Sequence, residues 1–188
     1  MNLIIFGPPG AGKGTQADFI VNKFNLFKLS TGEVLRNEID NKTQLGKEIS
    51  SIINSGSLVS DNIVEKLVET FIADKKYKDR LIFDGYPRNL IQAKTLQELL
   101  LKNGQEINLV LKLSVSQETI IKRILERRTI ENRTDDSKEI AIKRYQTYEK
   151  STEPVIEYYK KLNLLKVIDG EGTIDQINKE ISDIISLI

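Results

Sequence analysis

Residues 7–15 read Gly-Pro-Pro-Gly-Ala-Gly-Lys-Gly-Thr, so four residues separate Gly7 from Gly12 and Lys13 follows at once. That is the spacing of a phosphate-binding loop. Glycines let successive backbone amides turn toward one anion. The N-terminus of a following helix adds the positive end of its dipole, and Lys13 reaches the phosphates being transferred. A Gly-rich connector is the competing reading; the strand-like run before the loop and the helical stretch after it argue against that. The hydroxyl that usually follows the lysine is displaced, because Gly14 stands there and Thr15 comes one residue later. A magnesium ion held mostly by phosphates and water is compatible with this arrangement.

Arginine is placed selectively. Of 28 basic residues eight are arginine: Arg36, Arg80, Arg88, Arg123, Arg127, Arg128, Arg133 and Arg144. Four of them fall between 123 and 133, whereas lysine is scattered. A guanidinium pairs with phosphate through two parallel bonds and an ammonium does not, so this pattern hints at phosphate sites. Solvated helix faces remain the alternative for any single arginine.

The chain contains neither Cys nor His. Disulfides, thiolate nucleophiles, imidazole bases and the usual zinc ligands are therefore excluded. Chemistry must run on Lys, Arg, carboxylates, hydroxyls, backbone amides and a bound hard cation. The net charge of +1 gives no bulk field toward nucleic acid or an anionic membrane. The apolar run Leu3–Phe6 is too short for a signal segment, and no window approaches a membrane span. A cytosolic protein is expected. With 188 residues, 39% hydrophobic and 29% charged, one domain or one core with small insertions is expected.

These residues need a scaffold. Short apolar runs at 3–6, 27–30, 81–84, 107–115 and 164–168 read as strands. Helical stretches are expected over 13–24, 31–40, 43–54, 61–74, 89–102, 116–128, 138–162 and from 174. Ser30, Asn41 and Ser60 are the expected caps of the second, third and fourth. Alternation of this kind argues for an α/β fold with a five-stranded parallel sheet wrapped on both faces. The helical pair at 30–59 and a polar stretch near 129–137 contribute no strand, and both begin where ligands bind, beyond the carboxyl ends of strands.

The run Gly12-Lys13-Gly14-Thr15-Gln16 resembles the nucleoside monophosphate kinase form of the loop. Ser30-Thr31-Gly32-Glu33-Val34-Leu35-Arg36 resembles the acceptor-binding segment of that family, and Asp84-Gly85-Tyr86-Pro87-Arg88 its signature after the third strand. With the arginine and aspartate cluster at 127–136, the resemblance covers essentially the whole chain and is to adenylate kinases of the short-lid type. It implies a three-layer P-loop NTPase fold with a core of residues 1–29, 60–126 and 138–188. An insert at 30–59 would bind the nucleoside monophosphate, and a short lid loop would span 127–137. It also implies reversible phosphoryl transfer from ATP to AMP, giving two ADP, with Mg2+ accompanying ATP and no zinc. Small nucleotides would be the only partners, without nucleic acid or membrane, and the chain would be a monomer.

The resemblance assigns residues as well. Gly10, Ala11, Gly12, Lys13, Gly14, Thr15, Arg123, Arg127 and Gly172 would bind ATP, Arg123 covering the adenine face and Gly172 offering backbone to it. Thr31, Arg36, Ser57, Leu58, Val59, Gly85, Tyr86, Pro87, Arg88, Gln92, Arg133 and Arg144 would bind AMP. Lys13, Arg88, Arg127, Arg133 and Arg144 would converge on the transferring group, and Asp84 would hold magnesium through water. A turn carboxylate capping a strand end is the other reading of Asp84. Asp135 and Asp136 would orient the neighbouring arginines. Thr31 and Gln92 fit an adenine acceptor, since relatives acting on pyrimidine monophosphates tend to carry Ala and Asn there. Two positions depart from the family pattern: Glu33 stands for the more usual Asp, and Ser57 for a frequent basic residue. A UMP/CMP kinase is the alternative within the class, and a nucleotide-binding regulatory module without transfer is the alternative outside it.

Overall fold

The computed structural model describes residues 1–131 and 137–188, with side chains described for 1–127 and 137–188. Expectations at Arg133, Asp135 and Asp136 lie outside the described residues.

The first strand, β1 (Asn2–Phe6), is buried along its whole length. Such a run suits the centre of a parallel sheet covered on both faces. Side chains alternate across the pleat. Ile4 and Phe6 join one core cluster, while Leu3 and Ile5 join a second on the other face. Four further strands complete the sheet: β2 (Phe27–Ser30), β3 (Leu81–Asp84), β4 (Ile107–Ser114) and β5 (Leu165–Asp169). Their order is β2-β3-β1-β4-β5, with every pairing parallel. All five strand expectations hold to within a residue.

Parallel pairing demands crossover helices. On the second face lie α1 (Lys13–Phe24) and α9 (Ile174–Ile185), burying Ile20 and Ile181. The first face takes α4 (Asp61–Ala73), α5 (Leu90–Lys102) and α8 (Glu153–Lys161) through Val68, Leu96 and Tyr159. Each fully buried aliphatic side chain contributes about 1.5–3 kcal/mol, so these two clusters hold the layers together. Between β2 and α4 lie α2 (Thr31–Asp40) and α3 (Gln44–Asn54), which add no strand. They cross very closely: a Cβ on Gly46 would fall 2.0 Å from the Glu38 carbonyl oxygen.

Three expectations need correction. The helix expected over 138–162 is two helices, α7 (Lys138–Ser151) and α8, because Pro154 lacks an N–H and belongs in a first turn. Thr152 forms the joint. The cap of α3 is Thr43 rather than Asn41; its hydroxyl accepts from the Gly46 N–H at 3.0 Å. The helix expected to end at 128 continues as α6 (Gln117–Glu131), so the first residues of the expected lid loop are helical. Ser30 and Ser60 stand at helix starts without a side-chain capping bond.

Candidate active site

The register of the sheet collects the chemistry at one edge. Asp84 ends β3 level with Ile5 of β1 and Ser30 of β2, so the phosphate loop, α2 and residues 84–88 all leave the sheet side by side. They line one cleft of about 760 Å³ together with residues from α5, α6 and α7.

At its base is the loop. Gly12 caps α1 with φ +93°, a backbone conformation that only glycine adopts without strain. The helix therefore starts with its free amides facing the cleft. Lys13 Nζ donates to the carbonyl oxygens of Gly7 at 2.8 Å and Pro8 at 3.0 Å. Burial lowers this ammonium to about 8; Asp84 opposes that shift, while Arg88, Arg127 and Arg144 add to it. Lys13 and Asp84 thus sit within an excess of positive charge that an anion would neutralise.

Opposite the loop, two guanidinium groups meet. A Cβ built on Gly32 would lie 3.4 Å from Arg36 Nη2 and 3.7 Å from Arg88 Nη2, so both arginines converge beside that glycine. Burial pushes the Arg88 guanidinium below its ordinary value, opposed by Asp84 and reinforced by Arg144 and Arg36. The residue is tied down by its neighbours. Its Nε donates to the Gly85 carbonyl at 2.6 Å, its backbone N–H donates to Gln92 Oε1 at 2.7 Å, and its own carbonyl accepts from the Thr152 hydroxyl at 3.1 Å. Like charges held this closely create a site for a dianion, with forked donors matched to phosphate.

Of the residues expected at ATP, Gly10, Gly12, Lys13, Gly14, Thr15, Arg123 and Arg127 line the cleft. Arg123 bridges two segments, donating to the Ala11 carbonyl at 3.4 Å and the Gly170 carbonyl at 3.0 Å. Ala11 itself is buried beneath the loop. Gly172 stands off the cleft wall, in a turn that Glu171 fastens to the start of α6 through the Ser116 N–H at 2.6 Å and the Thr119 hydroxyl at 2.9 Å. Those bonds hold the Glu171 carboxyl below its usual value.

Of the residues expected at AMP, Thr31, Arg36, Ser57, Leu58, Val59, Gly85, Pro87, Arg88, Gln92 and Arg144 line the same cleft, as does Asp84. Tyr86 is the exception. Its ring is packed into the core, where its hydroxyl donates to the Gln92 carbonyl at 3.3 Å and burial pushes its pKa up. Ser57 touches the far wall, accepting from Lys143 Nζ at 3.3 Å. The departure at Glu33 has a partner too, since Lys28 Nζ lies 3.0 Å from its carboxylate and 2.8 Å from Asp18. Sequence reasoning missed Asp61, Asn89 and Thr152, all of which hold the segment around Arg88. Only the Asn89 and Asp61 positions at helix starts carried any local signal.

A family model described as adenylate kinase matches residues 5–164. The chain is 45% identical to an adenylate kinase from Pelagibacter ubique over the full length of both proteins. It is 41% identical to one from Fusobacterium nucleatum over 98% of each, and 44% identical to one from Prochlorococcus marinus over 96% of each.

Proposed function

Since this chain belongs to the adenylate kinase family, we propose that its cleft carries out reversible phosphoryl transfer from ATP to AMP, giving two ADP. The observation that carries this reading is the continuity of one cleft, with the phosphate loop at one end and the Arg36–Arg88 pair at the other. A protein that only bound ATP would need the first end and not the second.

An oxygen of the AMP phosphate attacks the γ-phosphorus of ATP while the bond from that phosphorus to the bridging oxygen breaks, so ADP leaves and AMP becomes ADP. Little covalent work falls to the protein; it positions and neutralises. Arg36 and Arg88 hold the acceptor phosphate. Lys13 leaves the loop carbonyls for the transferring group, joined by Arg127 and Arg144. The loop amides bind the donor phosphates, and Arg123 with the turn at 169–172 borders the donor base. Residues 30–59 act as the acceptor arm and 127–137 as a short lid over the remaining core. Closure of the two excludes water that would otherwise hydrolyse ATP.

Magnesium, when bound with ATP, neutralises charge between its terminal phosphates. The donor set fits an ion carried by the nucleotide. Among the described residues no group of three or more Asp, Glu, His or Cys could hold a metal directly. Asp84, 8% exposed at the cleft base, would hold its water shell. Among those residues no helix is long and apolar enough to cross a membrane. The reading is completed by a cytosolic monomer acting on free nucleotides.

A coupled assay for ADP, run with ATP, Mg2+ and a panel of nucleoside monophosphates, tests the proposal. AMP should surpass CMP and UMP in kcat/KM by at least about tenfold, because the wrong base leaves polar groups of the site unpaired. Equal use of CMP would favour a pyrimidine kinase, and no ADP with any acceptor would favour a regulatory module.

A further inference from the structure

Gln92 is 3% exposed, and both ends of its side-chain amide are already engaged. Its Oε1 accepts the Arg88 N–H at 2.7 Å, and its Nε2 donates to Asp61 Oδ1 at 2.7 Å. The same Asp61 oxygen accepts from Asn89 Nδ2 at 2.9 Å. Asp61, the first residue of α4, is half-buried behind Gln92 and is not part of the cleft wall.

We propose that Asp61 is a positioning residue for base selection, fixing which end of the Gln92 amide is donor and which is acceptor. The inference rests on the reading of Gln92 as a contact to the acceptor base. An ionised carboxylate only accepts hydrogen bonds, and a backbone N–H only donates. With one on each side, the amide has a single favourable orientation. Turning it over would set oxygen against carboxylate and NH2 against N–H, losing both bonds and leaving buried groups unpaired.

The fixed amide keeps one N–H and one oxygen lone pair for a ligand. Adenine offers a matching edge, with a ring nitrogen that accepts and an exocyclic amine that donates. Hypoxanthine has the same outline with the opposite polarity, a ring N–H that donates and a carbonyl that accepts. A locked amide therefore rejects inosine monophosphate on polarity alone, and an amide free to turn over accommodates it.

The test compares kcat/KM for AMP and for inosine monophosphate, with circular dichroism and melting temperature recorded for each variant. In Asp61→Ala the AMP preference should fall by at least about tenfold, the loss expected from one charge-assisted bond, with KM for ATP unchanged. Asp61→Glu, which still only accepts, should keep the preference within about threefold. Should Asp61→Ala fail to fold, Asp61→Asn supplies the measurement, because its amide tolerates either orientation of Gln92 and should lower the preference as well. A folded Asp61→Ala or Asp61→Asn with the parent's preference would overturn the proposal and leave Asp61 a helix-start residue. If instead Gln92→Leu left AMP kinetics untouched, the underlying reading of Gln92 would fall.

Discussion

The hydroxyl of Thr152 donates to the backbone carbonyl of Arg88 at 3.1 Å, joining the break between α7 and α8 to the segment that follows β3. Thr152 is 5% exposed, so the bond is shielded from water. The helix break that Pro154 imposes thereby sets a hydroxyl beside the backbone of Arg88. Thr152→Val keeps the shape and removes the donor. Stability should drop by about 1 kcal/mol, and KM for AMP should rise severalfold while KM for ATP stays put. A denaturation curve with two-substrate kinetics checks both; an equal rise in both KM values would mean that the joint acts on the whole cleft.

Gly46 tests the acceptor arm separately from the core. An added methyl there would overlap the Glu38 carbonyl, with the Ile39 Cα only 2.8 Å away, and neither is a flexible side-chain end. Gly46→Ala should force α2 and α3 apart at a cost of about 1–3 kcal/mol. The effect should appear as weaker AMP binding by calorimetry, with ATP affinity near the parent's. Unaltered AMP affinity would separate the arm's packing from acceptor binding.

Lys13 sets a pH dependence whose sign is fixed by its environment. Its ammonium is lowered from 10.5 to about 8 by burial, so between those values the unfolded chain binds the extra proton. Its contribution to stability is unfavourable below pH 8 and is relieved as pH rises through that range. On the proposed reading activity runs the other way, because the proton carries the charge that would face the transferring phosphate. In the free enzyme kcat/KM for ATP should fall above about pH 8, while kcat, measured with phosphates already beside the ammonium, should hold to higher pH. Lys13→Met should remove the stability step and cut kcat by at least about a hundredfold. A kcat/KM profile flat to pH 10 would contradict this placement of Lys13.

Arg88→Lys keeps the charge and loses the fork. The Nε bond to Gly85 and the paired donors toward phosphate cannot both be made by one ammonium. We expect kcat/KM for AMP to fall by at least about tenfold, shared between KM and kcat. Parent-like kinetics would show that Arg36 alone holds the acceptor phosphate.

The sheet and the phosphate loop were legible in the sequence because each is written locally. Short apolar-rich runs of four to eight residues mark the strands, with β1 and β3 buried throughout, and Gly7 to Lys13 carries its geometry in its spacing. The break at Thr152 was also locally marked, by Pro154, yet the surrounding helical pattern outweighed it. What stayed hidden was the support of the site. Asp61 and Gln92 meet across thirty-one positions, and Thr152 reaches Arg88 across sixty-four. Nothing in either neighbourhood announces such pairings, which arise only when the parallel register brings α4, α5 and the α7–α8 joint to one edge. Tyr86 taught the converse. It lies inside a recognisable motif, and its neighbours face the cleft, but the chain turns at Gly85 and sends its ring into the core.

The proposed transfer requires that one cleft hold two nucleotides with their phosphates meeting between Lys13 and Arg88. Two adenosines joined through five phosphates span both ends at once, and calorimetric titration of this compound measures that directly. One molecule should bind per chain, far more tightly than ATP or AMP alone, and compete with both. Two molecules bound per chain, or competition with ATP but not with AMP, would contradict the account.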